Sequence, residues 1–371
     1  MRLRVGTFNV ENLVTRHRFG AGPRGETSAA MSLFHFPVAD QRAAVEQSLA
    51  VALEDDKRQM TALAMAEGAA DIWCLQEIDS LASLQAFFAN YVHRLSDHRY
   101  GHFAVRDGND RRGIEVAFAA RRDLIAPSQI TVTSHAEASF AELDVFDRAL
   151  ADLDIKPHDR VFSRDCLMAG LAWPDRSLAL FLCHLKSMND GSDDGRRNTL
   201  PIRRAEALAV TRIVKRHFGP AWREANWIVA GDLNGFRHGI GPLGKLQDEG
   251  PSGIEPLLDR FAVDPLAALP EHERWTHFRR WWSESEGALR EQHMPLDYVL
   301  LSPALAAENP SPRIDIIRRG QPYRVPLDPR AGDRSIGTLS GTADRYPRVG
   351  WDRPKASDHC PVVVELTIPK G

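Results

Sequence analysis

Apolar residues along this chain fall into short runs that end on polar side chains. Leu3–Val10 alternates and predicts a first strand, with Asn9, Glu11 and Asn12 at its exit. From Asp40 the apolar positions Val45, Leu49, Leu53, Met60 and Leu63 share a helical face that ends near Gly68. Asp71–Glu77 then reads as a buried strand closing on a carboxylate, followed by a helix near 80–91. Strands are expected over 100–106, 114–120 and 129–134. The runs 167–173 and 178–184, split by Pro174-Asp175-Arg176-Ser177, predict a hairpin. A helix near 203–218 leads to Trp227-Ile228-Val229-Ala230-Gly231-Asp232-Leu233-Asn234, a strand running into a Gly-flanked turn. Leu296–Leu301 and Pro361–Ile368 are the last two strands.

Three stretches break the pattern. Residues near 15–40 are irregular and rich in Gly and Arg, and a loop of that length in a compact domain is usually functional or disordered. Residues 135–160 are polar, a helical or irregular insertion. Residues 304–356 are rich in Arg, Pro and Gly and read as an elaborated surface loop. With no repeat, low-complexity tract or linker, the expectation is a single domain over 1–371 carrying these insertions. Hairpin-prone strands punctuated by helices predict an α+β fold, two packed sheets with helices outside.

Composition narrows the functional classes. The formal net charge of −3 excludes a generally basic nucleic-acid coat, though not a local basic groove. No apolar run approaches membrane-spanning length, and Met1–Val5 enters a strand with no signal-peptide pattern. Cys74, Cys166, Cys183 and Cys360 match no zinc spacing and sit in apolar runs, so buried free thiols and a reducing, cytoplasmic compartment are expected.

The candidate chemistry lies at the strand ends. Asn9, Glu77, Asp232, Asn234, Asp297, Asp358 and His359 all fall there, and His184 ends another strand. If these ends converge, the clustered carboxylates cannot all stay ionised without a cation. Oxygen donors without a Cys/His cluster favour Mg²⁺ or Mn²⁺ over Zn²⁺. Taken singly each motif has a plainer account. Asp232-x-Asn234 is also ordinary turn chemistry, Asn9 can satisfy backbone at a strand end, and Asp358-His359 can cap a helix. Arg196, Arg197, Arg203 and Arg204 read slightly better as a solvated face than as a phosphate contact. Trp275, Phe278, Trp281 and Trp282 read as core or a covering loop before they read as a stacking platform.

Thr7-Phe8-Asn9-Val10-Glu11-Asn12, Leu75-Gln76-Glu77, Gly231-Asp232-Leu233-Asn234, Leu296-Asp297-Tyr298 and Ser357-Asp358-His359 resemble, in order, the motifs of the endonuclease/exonuclease/phosphatase superfamily. The resemblance spans residues 5 to 366. It implies a DNase I-like four-layered α/β/β/α sandwich with mainly antiparallel sheets, and Mg²⁺-dependent hydrolysis of phosphoester bonds by in-line water attack. Carried over, Glu77 is the principal metal ligand, with Asn9 and Asp358. Asp232 orients or deprotonates the water, Asn234 holds it, and Asp297 locks His359 in the charged form. His184 matches the histidine of the DNase I-like branch, and Glu115 falls where that branch places its paired acid. An outward-facing strand carboxylate explains Glu115 equally well. Arg164 is the expected phosphate clamp, although Asp165 beside it departs from the pattern, and Lys186 a rim lysine. The function implied is a DNase-like nuclease acting on a phosphoester substrate, with nucleic acid the first candidate. The alternatives are a phosphoesterase for a small or lipid-linked substrate, and a non-catalytic binding protein on the same scaffold.

Overall fold

The computed structural model describes residues 1–14, 38–192, 194–330 and 345–370. The chain begins with β1 (Arg2–Leu13), α1 (Ala39–Gly68), β2 (Ile72–Ile78), α2 (Leu81–Phe87), β3 (Tyr100–Val105) and β4 (Glu115–Arg121). It continues through β5 (Ile130–Thr133), β6 (Cys166–Trp173), β7 (Arg176–His184), α3 (Gly195–Phe218) and β8 (Trp227–Asp232). The last third holds β9 (His238–Ile240), β10 (Leu246–Asp248), β11 (His277–Ser283), β12 (Ala288–Met294) and β13 (Asp297–Leu301). α4 (Pro303–Glu308), β14 (Arg313–Ile316) and β15 (Val362–Thr367) close it.

Two large sheets form the body, in strand orders β14-β15-β1-β2-β4-β3 and β13-β8-β7-β6-β5. Both are mainly antiparallel, but each carries one parallel pair at its centre, β1 with β2 and β7 with β8. A parallel pair needs a crossover connection, and α1 and α3 supply the two. Between the sheets lie Val5, Cys74, Phe118, Leu180, Leu182, Ile228, Ala230 and Val299. Outside the first sheet, Met60, Met65 and Phe88 pack on Phe8, Trp73 and Leu75. Outside the second, Ala207, Val210 and Val214 cover Phe181 and Val229. That is the expected α/β/β/α layering. Strands covered on both faces read as unbroken apolar runs, as β2 and β8 do.

The topology places the strand ends. Two strands of a parallel pair finish at the same edge, so Asn9 and Glu77 end one pair, and His184 and Asp232 end the other in direct register. Asp297 opens the antiparallel β13 opposite Asp232. At Gly231, where φ is 150°, an added Cβ would lie 1.8 Å from the Cys183 carbonyl oxygen, so only glycine lets β8 approach β7 this closely.

Several expectations need correction. The segment 135–160 is irregular apart from the short helix Arg148–Ala151, and its Phe140, Leu143, Val145 and Leu150 join the α3-side core. The stretch 304–356 begins with α4 and then adds β14 to the edge of the first sheet. α3 starts near Gly195, so the arginine cluster lies on the helix rather than ahead of it, and Arg203 is fully buried against the Ser252 carbonyl. A third, four-stranded sheet, β10-β9-β12-β11, was not foreseen. The loop expected near 15–40 falls almost entirely on 15–37, outside the described residues. All four cysteines are buried free thiols. Among the described residues, no helix is long and apolar enough to cross a membrane.

Candidate active site

The strand ends converge on one cavity of about 320 Å³, lined among others by Asn9, Glu77, Arg164, His184, Asp232, Asn234, Asp358 and His359. Asp232 is its centre. One carboxylate oxygen accepts from its own turn, at the Asn234 N–H, 3.0 Å away. The other accepts from Asn9 Nδ2 at 3.1 Å and lies 3.4 Å from His184 Nε2 and 3.7 Å from His359 Nε2. Burial is the main reason its carboxyl rises to about 7; the charge of Asp297 adds to this, while His359 and the Asn9 and Asn234 hydrogen bonds oppose it. Asn234 is held in a left-handed conformation, φ 49°, with its amide nitrogen donating to the Leu185 carbonyl.

His359 is fastened from behind. Its Nδ1 lies 2.8 Å from Asp297 Oδ2, and the Thr276 hydroxyl donates to the same oxygen at 2.6 Å. Burial alone would lower this imidazole, but Asp297 and then Asp232 hold it well above its ordinary value, so it is an imidazolium. The Ser357 hydroxyl donates to the Asn9 carbonyl and accepts the His359 N–H, tying this turn to the exit of β1. His184 is the opposite case. Burial first, then the positive charge of Arg164, His359 and Arg112, drives it well below its ordinary value, and its Nδ1 has no hydrogen-bond partner among the described residues.

Glu77 sits on a bulge of β2 with φ 68°, its carboxylate accepting from the Asn12 N–H at 2.9 Å and near Asn9 Nδ2 at 3.4 Å. Burial and the neighbouring charge of Asp358 raise its carboxyl. Asp358 is itself held well below its usual range: burial would raise it, but Lys355, His277 and His359 outweigh that. Arg164 is buried, donating to Asp110 and to the Leu185 carbonyl.

Asn9 turns its oxygen to the Glu11 N–H at 3.1 Å and its amide nitrogen to Glu77 and Asp232. Glu115 makes no hydrogen bond to His184. Its carboxylate packs against Gly108, and one oxygen is buried without a partner, as is His184 Nδ1. Lys186 does not line the cavity; its backbone N–H is taken by Glu206. Asp297 lies behind His359 rather than on the cavity wall.

Other residues went unread. Arg112, His277 and Arg279 line the cavity, and His277 Nε2 lies 3.8 Å from Asp358 Oδ2. Arg112 lies three residues before Glu115, in the turn ahead of β4. His277 and Arg279 sit inside the aromatic stretch that drew attention for its tryptophans. Glu206, buried on α3, accepts the Ser163 and Lys186 N–H groups and so joins the loops that carry Arg164 and His184.

The sequence profile of the Endonuclease/Exonuclease/phosphatase family matches residues 6–359. The chain belongs to this family. Endonuclease/exonuclease/phosphatase proteins are phosphoester hydrolases, and this one is an enzyme of that class. A solved family member from Bacteroides thetaiotaomicron is 13% identical, over 100% of this chain and 98% of that one, with a TM-score of 0.50. A humanized D. rerio TDP2 is 16% identical, covering 99% of each chain, with a TM-score of 0.47. The human Nocturnin catalytic domain with bound sulfate is 12% identical over 99% of this chain and 95% of that chain, at a TM-score of 0.49. A comparison with curated proteins finds no match. At such identities the likeness to solved structures speaks for the endonuclease/exonuclease/phosphatase fold alone.

Proposed function

We propose that this protein is a divalent-cation-dependent phosphodiesterase, a nuclease by preference, that hydrolyses by direct in-line attack of water. The observation that carries the reading is the setting of Asp232. A buried carboxylate with its pKa near 7 sits between a neutral and a charged histidine, in a cavity that also holds Glu77, Asp358 and cationic side chains.

A cation fits the residues present. Glu77 and Asp358 face one cavity closely enough for one charge to oppose the other, and a dication removes that repulsion. Their hard oxygen donors suit Mg²⁺ or Mn²⁺, with His277 beside Asp358 at the edge of the set. When bound, such an ion neutralises phosphate charge as a Lewis acid.

The chain's own residues do the rest. Asp232 orients the water and takes its proton as the oxygen attacks phosphorus, a task suited to a base near neutrality. Asn9 fixes that carboxylate, and Asn234 lines the cavity beside it. The His359 imidazolium donates to a phosphoryl oxygen, where negative charge grows in the transition state. His184, uncharged, offers a second donor, and Arg164 and Arg112 place positive charge on the same wall. The bond opposite the water breaks, leaving an alcohol and a phosphate monoester. Direct attack by water needs no covalent intermediate.

The test is Mg²⁺- or Mn²⁺-dependent hydrolysis of bis(p-nitrophenyl) phosphate and of single- and double-stranded DNA. Release that disappears in Asp232→Ala is expected. Undiminished release by that variant, or none from the wild type with either metal, contradicts the proposal. Turnover of the small ester with none on DNA would leave a phosphodiesterase for a small or lipid-linked substrate.

A further inference from the structure

Three imidazoles line the cavity, and two of them already face Asp232. The third is His277, the first residue of β11, and the backbone fixes it beside the Asp358-His359 turn. His277 bridges His359 in antiparallel pairing, and the Cys360 N–H donates to the Thr276 carbonyl at 2.7 Å. The His277 and His359 rings stand 4.6 Å apart, centroid to centroid. Thr276 steadies Asp297 behind the cavity wall, and the next residue, His277, is part of that wall.

A buried histidine is ordinarily satisfied by a hydrogen bond, as His293 on β12 is at the Pro326 carbonyl, 2.9 Å away. His277 is placed differently. Its Nδ1 is buried with no hydrogen-bond partner among the described residues, and its Nε2 meets Asp358 Oδ2 at 3.8 Å. That distance is too long for a hydrogen bond. It lies within the span of two donors that each reach one dication at about 2.0–2.2 Å. His277, Asp358 and His359 present candidate ligand atoms within 4.8 Å of one another. His359 is the imidazolium and has no lone pair to give, whereas burial keeps His277 neutral, with one nitrogen lone pair available.

We propose that His277 is a direct ligand of the cation held by Glu77 and Asp358, and that its nitrogen tilts the site from Mg²⁺ toward a first-row transition dication. An imidazole nitrogen is a softer donor than a carboxylate oxygen. Transition dications accept it, while Mg²⁺ keeps to oxygen donors and water. Two carboxylates and one imidazole form a set that either kind of ion can enter and that a transition ion uses in full. This rests on the cation site proposed above and adds the class of ion.

The experiment reads the ion rather than the reaction. Mn²⁺ is titrated into the wild type and followed by electron paramagnetic resonance, with echo-envelope modulation reporting any nitrogen bonded directly to the bound ion. A nitrogen coupling in the wild type that is lost in His277→Gln and in His277→Asn is expected. Mn²⁺ affinity in both variants is expected to fall at least about tenfold, since even the partners that orient metal ligands are worth about 10- to 100-fold. Mg²⁺, read by its displacement of Mn²⁺, is expected to lose less. Bound Mn²⁺ with no nitrogen coupling in the wild type, or a coupling that survives in either variant, overturns His277 as a ligand and leaves the cation site standing. Equal losses for the two ions overturn the tilt toward transition metals. A wild type that binds no Mn²⁺ removes the cation site, and this ligand with it.

Discussion

His184 and His359 approach the same oxygen of Asp232 from opposite sides, at 3.4 and 3.7 Å, yet the fold sets them in opposite charge states. The difference lies behind each ring. His359 is backed by Asp297, itself steadied by Thr276, and is held as an imidazolium. His184 has no carboxylate hydrogen-bonded at its Nδ1 among the described residues, so nothing offsets its burial and then the positive charge of Arg164, His359 and Arg112, which lower it. Two residues of one type, equally buried, therefore act as a cation and as a dipole. A phosphate between them meets one full charge, and the site avoids adding a second buried cation beside the arginines.

The contrast can be broken from either side. His359→Ala removes the charged donor, and kcat on bis(p-nitrophenyl) phosphate is expected to fall about 10²- to 10³-fold, the usual cost of losing one donor at a developing oxyanion. Asp297→Asn keeps the hydrogen-bonding shape but removes the charge that supports the imidazolium, and about a 10- to 100-fold loss is expected. His184→Ala removes only a neutral hydrogen bond, worth about 0.5–1.5 kcal/mol, so the loss stays near tenfold or below. A loss at His184 equal to that at His359 would erase the distinction.

Glu115 sharpens it further. This acid was the expected partner of His184, but it packs against Gly108 and makes no hydrogen bond to that imidazole. Glu115→Gln is therefore expected to change kcat by no more than about threefold. Its larger effect is on stability. Burial first, then Asp107, Asp110 and Asp165, raises the Glu115 carboxyl from 4.5 to about 7. A folded-state value above the unfolded one favours the folded state most below about 4.5, and that contribution is lost as the pH rises to about 7. Urea midpoints of wild type minus Glu115→Gln should fall across this window and level off above it. A difference that rises with pH contradicts the assignment.

How much of this could be read before the fold was known follows from what the strands bury. β1, β2, β8 and β13 are covered on both faces, so their apolar runs stand out and the polar residues ending them mark the cavity. β11 and β12 were hidden because their alternation sets cations and aromatics against half-buried positions, with no apolar stripe to count. His277 and Arg279 were lost with them. The role of Asn9 was beyond reach for another reason. Which end of its amide faces Glu77 depends on the left-handed bulge at Glu11 and Asn12, where the Glu11 N–H claims the oxygen. Arg112 reaches the cavity only once the sheets are packed, and Glu206 acts through contacts with distant loops, so spacing along the chain carries no trace of either.

The opposite charges of the two histidines can be observed directly from the ring ¹⁵N resonances of the metal-free protein near neutral pH, assigned with His184→Gln and His359→Gln. The account predicts two protonated nitrogens on His359 and one protonated, one bare nitrogen on His184. Both rings in the same protonation state would contradict it.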